Sequence, residues 1–173
     1  MEAQVLLWIH HHGNAALDAF FRVSHFVGGY PASAGLVAAL ALWHVVRHER
    51  REALAWLALG LSTAAVLEVL KAVAARARPD LWPRIVMEPG FSFPSGHALA
   101  SATFYPILAW EASRRRPDLW RLWYAIAVAG SFWVGFGRLY LGVHWPSDVL
   151  TGWTLGAAQA AIAIRSLGSK ERP

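Results

Sequence analysis

The chain has 173 residues, 56% hydrophobic and 16% charged, with ten tryptophans and a mean hydropathy of +0.35; that length holds one domain, not two with separate cores. The absence of cysteine excludes disulfides and a thiolate nucleophile. The net charge of +5 would suit nucleic acid, but it is concentrated in the connections between apolar runs, which excludes a nucleic-acid surface and points to a membrane.

Residues 5–27 are amphipathic but interrupted by His, Asn, Asp and Arg, so they read as an N-terminal interfacial helix lying on the outer membrane face. Residues 1–12 have neither a basic start nor a small-residue cleavage site, so no cleavable signal peptide is expected. The run His10, His11, His12 is no metal module, because adjacent histidines share neither a helix face nor a strand face.

Charge-free runs follow at 31–46, 53–67, 96–110, 122–137 and 149–164. A span needs roughly 20 residues, so four of the runs extend through isolated polar positions: Glu68 and Lys71, His97, Arg138, and Asp148. The resulting spans cover about 31–48, 53–75, 96–113, 118–138 and 146–166. The expected fold is therefore all-α and integral to the membrane. It is one domain over 1–173, a bundle of five transmembrane helices plus the interfacial helix, or six if residues 5–27 insert. The spacing of the runs argues against a soluble helical bundle.

Most of the sixteen Lys and Arg fall in three clusters: Arg47, Arg50 and Arg51; Arg114, Arg115, Arg116 and Arg121; Arg165, Lys170 and Arg172. All three lie on one side of a five-span chain, which the positive-inside rule makes cytoplasmic. The connections at 76–95 and 138–146 then face outward from the cell (inner) membrane.

Three polar clusters converge on that outer face. The first, KAVAARARP over 71–79, places Lys71 and Arg78 seven residues apart, nearly two helical turns and about 10 Å along one wall, with Pro79 ending the helix. The second, PSGH over 94–97, sets Ser95 at an N-cap and Gly96 where backbone can approach an anion. His97 is a titratable ring in the first turn of an apolar span. In the third, GRLYLGVHWPSD over 137–148, Asp148 lies four residues beyond His144 and can hold one ring nitrogen while the other attacks. Arg138 adds a planar fork suited to a phosphoryl group. Singly, each has a plainer reading: Lys71 snorkels or pairs with Glu68, Ser95 caps, Asp148 meets a helix dipole. Together they supply three cations, helix-end donors, a nucleophile with an orienting carboxylate, and a second histidine able to act as acid, the inventory for phosphoryl transfer through histidine.

These motifs resemble the type 2 phosphatidic acid phosphatase superfamily, whose signature is K-x6-RP, PSGH and SR-x5-H-x3-D. The match runs through Lys71, Arg78-Pro79, Pro94 to His97, Arg138, His144 and Asp148, with Gly137 standing where the family usually has serine and Glu68 outside the motif. The resemblance implies that His144 attacks phosphorus, Asp148 holds its ring and His97 protonates the leaving oxygen. Lys71, Arg78, Ser95, Gly96 and Arg138 would bind phosphoryl oxygens. It implies no metal and no cofactor, in keeping with the lack of DxD or HExxH. The partners implied are a lipid phosphate substrate and the membrane lipids themselves. Among bacterial members the compact chain resembles undecaprenyl diphosphate phosphatases, with phosphatidylglycerophosphate, phosphatidate and lipid A phosphate as alternative substrates. An ion-coupled transporter would carry its charges near the bilayer midplane rather than at span ends. The vanadate haloperoxidases that share this pocket are soluble and larger.

Overall fold

The computed structural model describes residues 1–168. They form seven α-helices: α1 (Glu2–His11), α2 (Ala15–Val27), α3 (Tyr30–Val46), α4 (Arg50–Ala74), α5 (Gly96–Arg115), α6 (Trp120–Tyr140) and α7 (Pro146–Gly168). A 3-10 turn, Pro117–Leu119, joins α5 to α6, and no strand occurs among the described residues. The charge-free runs are thus the cores of α3 to α7. Lys170 and Arg172 of the third basic cluster lie outside the described residues.

Helix α5 is the centre of the bundle. It packs chiefly on α7 and α6, with α4 and α3 beyond, and it is buried continuously from His97 to Phe104. The α5–α7 contact is close because both helices present small residues there. A Cβ at Gly152 would lie 2.7 Å from the Ser95 carbonyl oxygen, and one at Gly156 would strike the Leu99 carbonyl oxygen and lie 2.8 Å from Ala102 Cβ. Such small-residue seams let backbones approach where lipid offers no hydrophobic drive to association. Gln159 of α7 accepts from Thr63 of α4 and Thr103 of α5, each at 3.1 Å, joining three helices inside the bundle.

The end of the bundle carrying Arg47, Arg50, Arg114 and Arg165 holds a buried polar brace. Glu111 Oε1 accepts from Trp56 Nε1 at 2.8 Å and lies 3.3 Å from His44 Nε2, while His44 Nδ1 is 2.8 Å from Glu49. A carboxylate this deep is tolerated because it is partnered.

By length and apolarity alone, α4 and the stretch Pro117–Tyr140 qualify as membrane spans. The pair α2 and α3, bent by 46°, adds a third when taken as one. Helices α5 and α7 fall outside that test for a physical reason. Ser101, Thr103, Gly152, Gly156 and Gln159 face protein partners rather than the bundle exterior, so composition understates how well these helices suit the interior of a membrane bundle.

Two local expectations change. The interfacial helix over 5–27 is two helices, broken because Asn14 caps α2, its Oδ1 accepting from Ala16 N and Leu17 N. Instead of standing apart, α2 packs along α6. The helix expected to run to Pro79 stops at Ala74, where Ala75 turns into the left-handed region with φ 42°. Lys71 and Arg78 therefore do not share a helix face; the loop, not the helix, delivers Arg78.

Candidate active site

The two loops and three helix ends at one pole of the bundle bring the motif residues together. Lys71 near the end of α4, Arg78 in the following loop, Gly96 and His97 at the start of α5, and His144 before α7 all line one cleft of about 750 Å³. Glu68, a turn before Lys71, lines it as well. Arg138, Ser95 and Asp148 are fully buried just behind.

Arg78 is anchored by four acceptors: the carbonyl oxygens of Gly90, Pro89 and Val143, and His144 Nε2 at 3.1 Å. A guanidinium only donates, so His144 Nε2 must carry a lone pair and the ring proton sits on Nδ1. That Nδ1 lies 3.5 Å from Asp148 Oδ2, long for a hydrogen bond but close for an electrostatic pair. The tautomer therefore leaves Nε2 as the ring nitrogen that carries the lone pair. Burial pushes the His144 imidazole down to about 4; Arg78 and Arg138 push the same way, and Asp148 opposes them. That direction favours the neutral ring.

Asp148 has stronger attachments than His144. Its Oδ2 accepts from Trp145 N at 2.8 Å and its Oδ1 from Arg76 Nη1 at 2.6 Å. Arg76 in turn pairs with Glu2 at 2.6 Å, and Glu2 accepts from the backbone and hydroxyl of Ser147, capping α7 from another element.

Ser95 occupies the N-cap of α5 but makes no side-chain cap bond. Its N–H donates to the Asp148 carbonyl at 3.0 Å, tying the second motif to the third, and its buried hydroxyl has no protein partner. Arg138 is similar: Nε and Nη2 are buried without partners, while Nη1 lies 3.0 Å from His25 Nδ1 and 3.5 Å from Glu88 Oε1. Unpaired donors that are this buried are costly unless a ligand uses them, and these suit an oxyanion.

Sequence reasoning missed His25, Glu88 and Arg76. His25 stands on α2, and its carbonyl accepts from His97 Nε2 at 3.1 Å while its ring stacks on His97 at 5.5 Å. Glu88, in the loop after α4, lies within 3.3–3.8 Å of His25, Arg138, His97 and Arg78. It thus touches two arginines and two histidines of the site at once. His25, Glu88 and His97 hold ligand atoms within 4.8 Å of one another, the spacing of a three-ligand metal site. The Arg138 guanidinium lies at the same corner, 3.5 Å from Glu88 Oε1.

The absence of a side chain at Gly137, beside Arg138, has a structural reason. A Cβ there would collide with Ser24 Oγ and lie 3.2 Å from Phe21 Cδ1. Helix α2 packs into the space a side chain would take.

Fold and site together define an all-helical bundle, rich in membrane-type helix packing, with histidine, arginine and lysine side chains gathered at one pole. The chain belongs to the PAP2 superfamily, which it matches over residues 52–172. It is 44% identical over 92 residues to phosphatidylglycerophosphatase B of Bacillus subtilis, covering 51% of this chain and 45% of that one. It is 32% identical over 103 residues to undecaprenyl-diphosphatase of Sulfolobus acidocaldarius, covering 57% and 47%. The chain thus spans about half the length of the curated relatives it matches. The crystal structure of a transmembrane PAP2 type phosphatidylglycerolphosphate phosphatase from Bacillus subtilis superposes with a TM-score of 0.87 at 28% identity, over 98% of this chain and 85% of that one.

Proposed function

We propose that this protein is a membrane lipid phosphatase working through a phosphohistidine. His144 Nε2 attacks phosphorus while the bond to the lipid oxygen breaks, and His97 gives that oxygen its proton. Water then attacks phosphorus, the P–N bond breaks with its electrons returning to His144, His97 takes the water proton, and orthophosphate leaves. Lys71, Arg78, Arg138, the Ser95 hydroxyl and the Gly96 backbone hold the phosphoryl oxygens, and Asp148 keeps the His144 proton on Nδ1. The observation that carries this reading is the unprotonated Nε2 of His144 facing buried guanidiniums at the mouth of an apolar cleft.

That cleft also supports a lipid substrate. It runs between α3 and α4, past Ala34, Ala38, Gly60 and Ala64, and α4 lines it from Lys71 to Leu57. Fourteen residues at 1.5 Å each make about 21 Å, the length of an extended acyl or prenyl segment. Undecaprenyl diphosphate is the leading substrate in this reading. Phosphatidylglycerophosphate is the second, favoured by the 44% identity to the Bacillus subtilis phosphatase of that name. Phosphate release from these two lipids, phosphatidate and lipid A, assayed side by side, tests both. No release from any of them overturns the reading.

The permanent cations are supplied by Arg and Lys side chains, so EDTA at millimolar concentration is expected to leave phosphate release within about twofold of the untreated rate. A loss that added Mg²⁺ restores would point to a metal-dependent route instead.

In the same proposal α3 to α7 are five spans of the cell membrane, α1 and α2 sit at its outer interface, and the site faces outward, because the arginine-rich connections gather at the opposite pole. Met87 in the loop over the site is 84% exposed. With no native cysteine to compete, Met87→Cys should react with a membrane-impermeant maleimide in intact cells; reaction only after lysis would reverse the orientation.

A further inference from the structure

We infer that His25 is a positioning residue of this site, setting both the phosphate-binding Arg138 and the proton donor His97 from a helix outside the recognised motifs. The inference rests on the reading that the pocket takes a phosphoryl group. Four observations meet on this one residue. Its Nδ1 lies 3.0 Å from Arg138 Nη1 and 3.3 Å from Glu88 Oε1; arginine only donates, so in the shorter of the two contacts Nδ1 is the acceptor and the His25 proton is on Nε2. Its backbone carbonyl accepts from His97 Nε2 at 3.1 Å, which leaves His97 Nδ1 as the other ring nitrogen, outside that bond. The two imidazoles stack at 5.5 Å with planes 17° apart, limiting rotation of His97. And His25 itself lines the cleft.

The helix that carries His25 is held at a defined distance from the site. On one side of His25, Ser24 is completely buried and its hydroxyl fills the space above Gly137, the residue before Arg138. On the other, a Cβ at Gly28 would collide with Val134 Cγ1 and lie 3.2 Å from His97 Cδ2. Two glycines, Gly137 on α6 and Gly28 just past the end of α2, therefore allow α2 to approach until a single residue can reach Arg138 with its ring and His97 with its carbonyl. Without the Nδ1 acceptor, Arg138 would keep its burial but lose one of the bonds fixing its plane. The fork it presents to phosphoryl oxygens would then be free to rotate.

The experiment uses orthovanadate as a phosphoryl probe and needs no knowledge of the lipid. The thermal unfolding midpoint of the purified protein in detergent is followed against vanadate concentration, with Arg138→Ala as the reference for lost binding. His25→Asn places an amide oxygen near the position of Nδ1 and keeps the acceptor; its vanadate affinity should stay within about threefold of wild type. His25→Phe keeps a ring to stack on His97 but has no acceptor. Its affinity should fall about ten- to a hundredfold, the loss expected for one charge-assisted hydrogen bond, with the unliganded midpoint little changed. His25→Ala, which removes bulk rather than adding it, should show the same loss if the phenylalanine variant does not fold. Vanadate binding by the variants without an acceptor that equals wild type would overturn the inference, as would an asparagine variant as weak as the phenylalanine one or a wild type that vanadate does not stabilise. A wild type that binds vanadate yet releases phosphate from no lipid would instead count against the lipid phosphatase reading and leave the His25 comparison standing.

Discussion

His144→Ala should abolish phosphate release from every lipid substrate, by about 10³-fold or more, since the loss of a covalent nucleophile is not made up by the remaining binding groups. The variant removes one of the two acceptors of Arg78 Nη1 and one neighbour of Asp148, so its thermal midpoint must be measured beside its rate to separate chemistry from folding. A second readout distinguishes nucleophile from base. Acid destroys phosphohistidine and alkali preserves it, so an alkaline quench of wild type with ³²P-labelled lipid phosphate should leave label on the protein, and His144→Ala should leave none. Retention of even a tenth of wild-type turnover, or labelling that survives the substitution, would remove His144 from the role proposed for it.

Gly156→Ala should cost more stability than any other single methyl group added to the bundle. The new Cβ would press on the Leu99 carbonyl oxygen and on Ala102 Cβ at 2.8 Å. Neither is the end of a flexible side chain, so α7 has to move away from α5. Overpacking of this kind costs about 1–3 kcal/mol, and with backbone beneath the methyl the upper end is expected, a fall of roughly 5–10 °C in the unfolding midpoint. Activity should fall in parallel, because α5 carries His97 and α7 carries Asp148. Gly35→Ala on α3 is the control: nothing lies within 4 Å of its added Cβ, and its midpoint should shift by no more than about 2 °C. Equal shifts in the two variants would mean that the α5–α7 seam is looser than its backbone contacts imply.

The motif half of the site was legible in the sequence because spacing there translates directly into geometry. His144 and Asp148, four residues apart at a proline-started helix, meet in the structure, and the alternation of apolar runs with basic connections puts the three clusters at one pole. The helix limits were legible where charge marks them, as at Arg47 to Arg50. The end of α4 was not. Ala75 is an unremarkable residue whose left-handed turn is set by tertiary contacts of the loop it begins, whereas Pro79 announces itself. The positions of His25 and Glu88 could not be read either, because their contacts with His97 and Arg138 join residues far apart in the chain, with no periodicity to signal them. His25 in particular lies in a segment whose amphipathic pattern fits a surface helix equally well. Gly137 offered the one usable hint: a missing side chain beside a buried arginine meant that something else filled the space, and that something is Ser24 of α2.

The α5–α7 seam has a further consequence for how the molecule could diversify. The backbone bond from Ser95 to Asp148 and the glycine contacts behind it couple Ser95, His97 and Asp148 into one body, while the proposed tail groove is walled mainly by α3 and α4, which join that body through side chains. In the proposed reading, exposed cleft residues such as Leu57 and Leu61 are then the positions where exchange would suit straight, branched or longer chains while leaving the α5–α7 body intact.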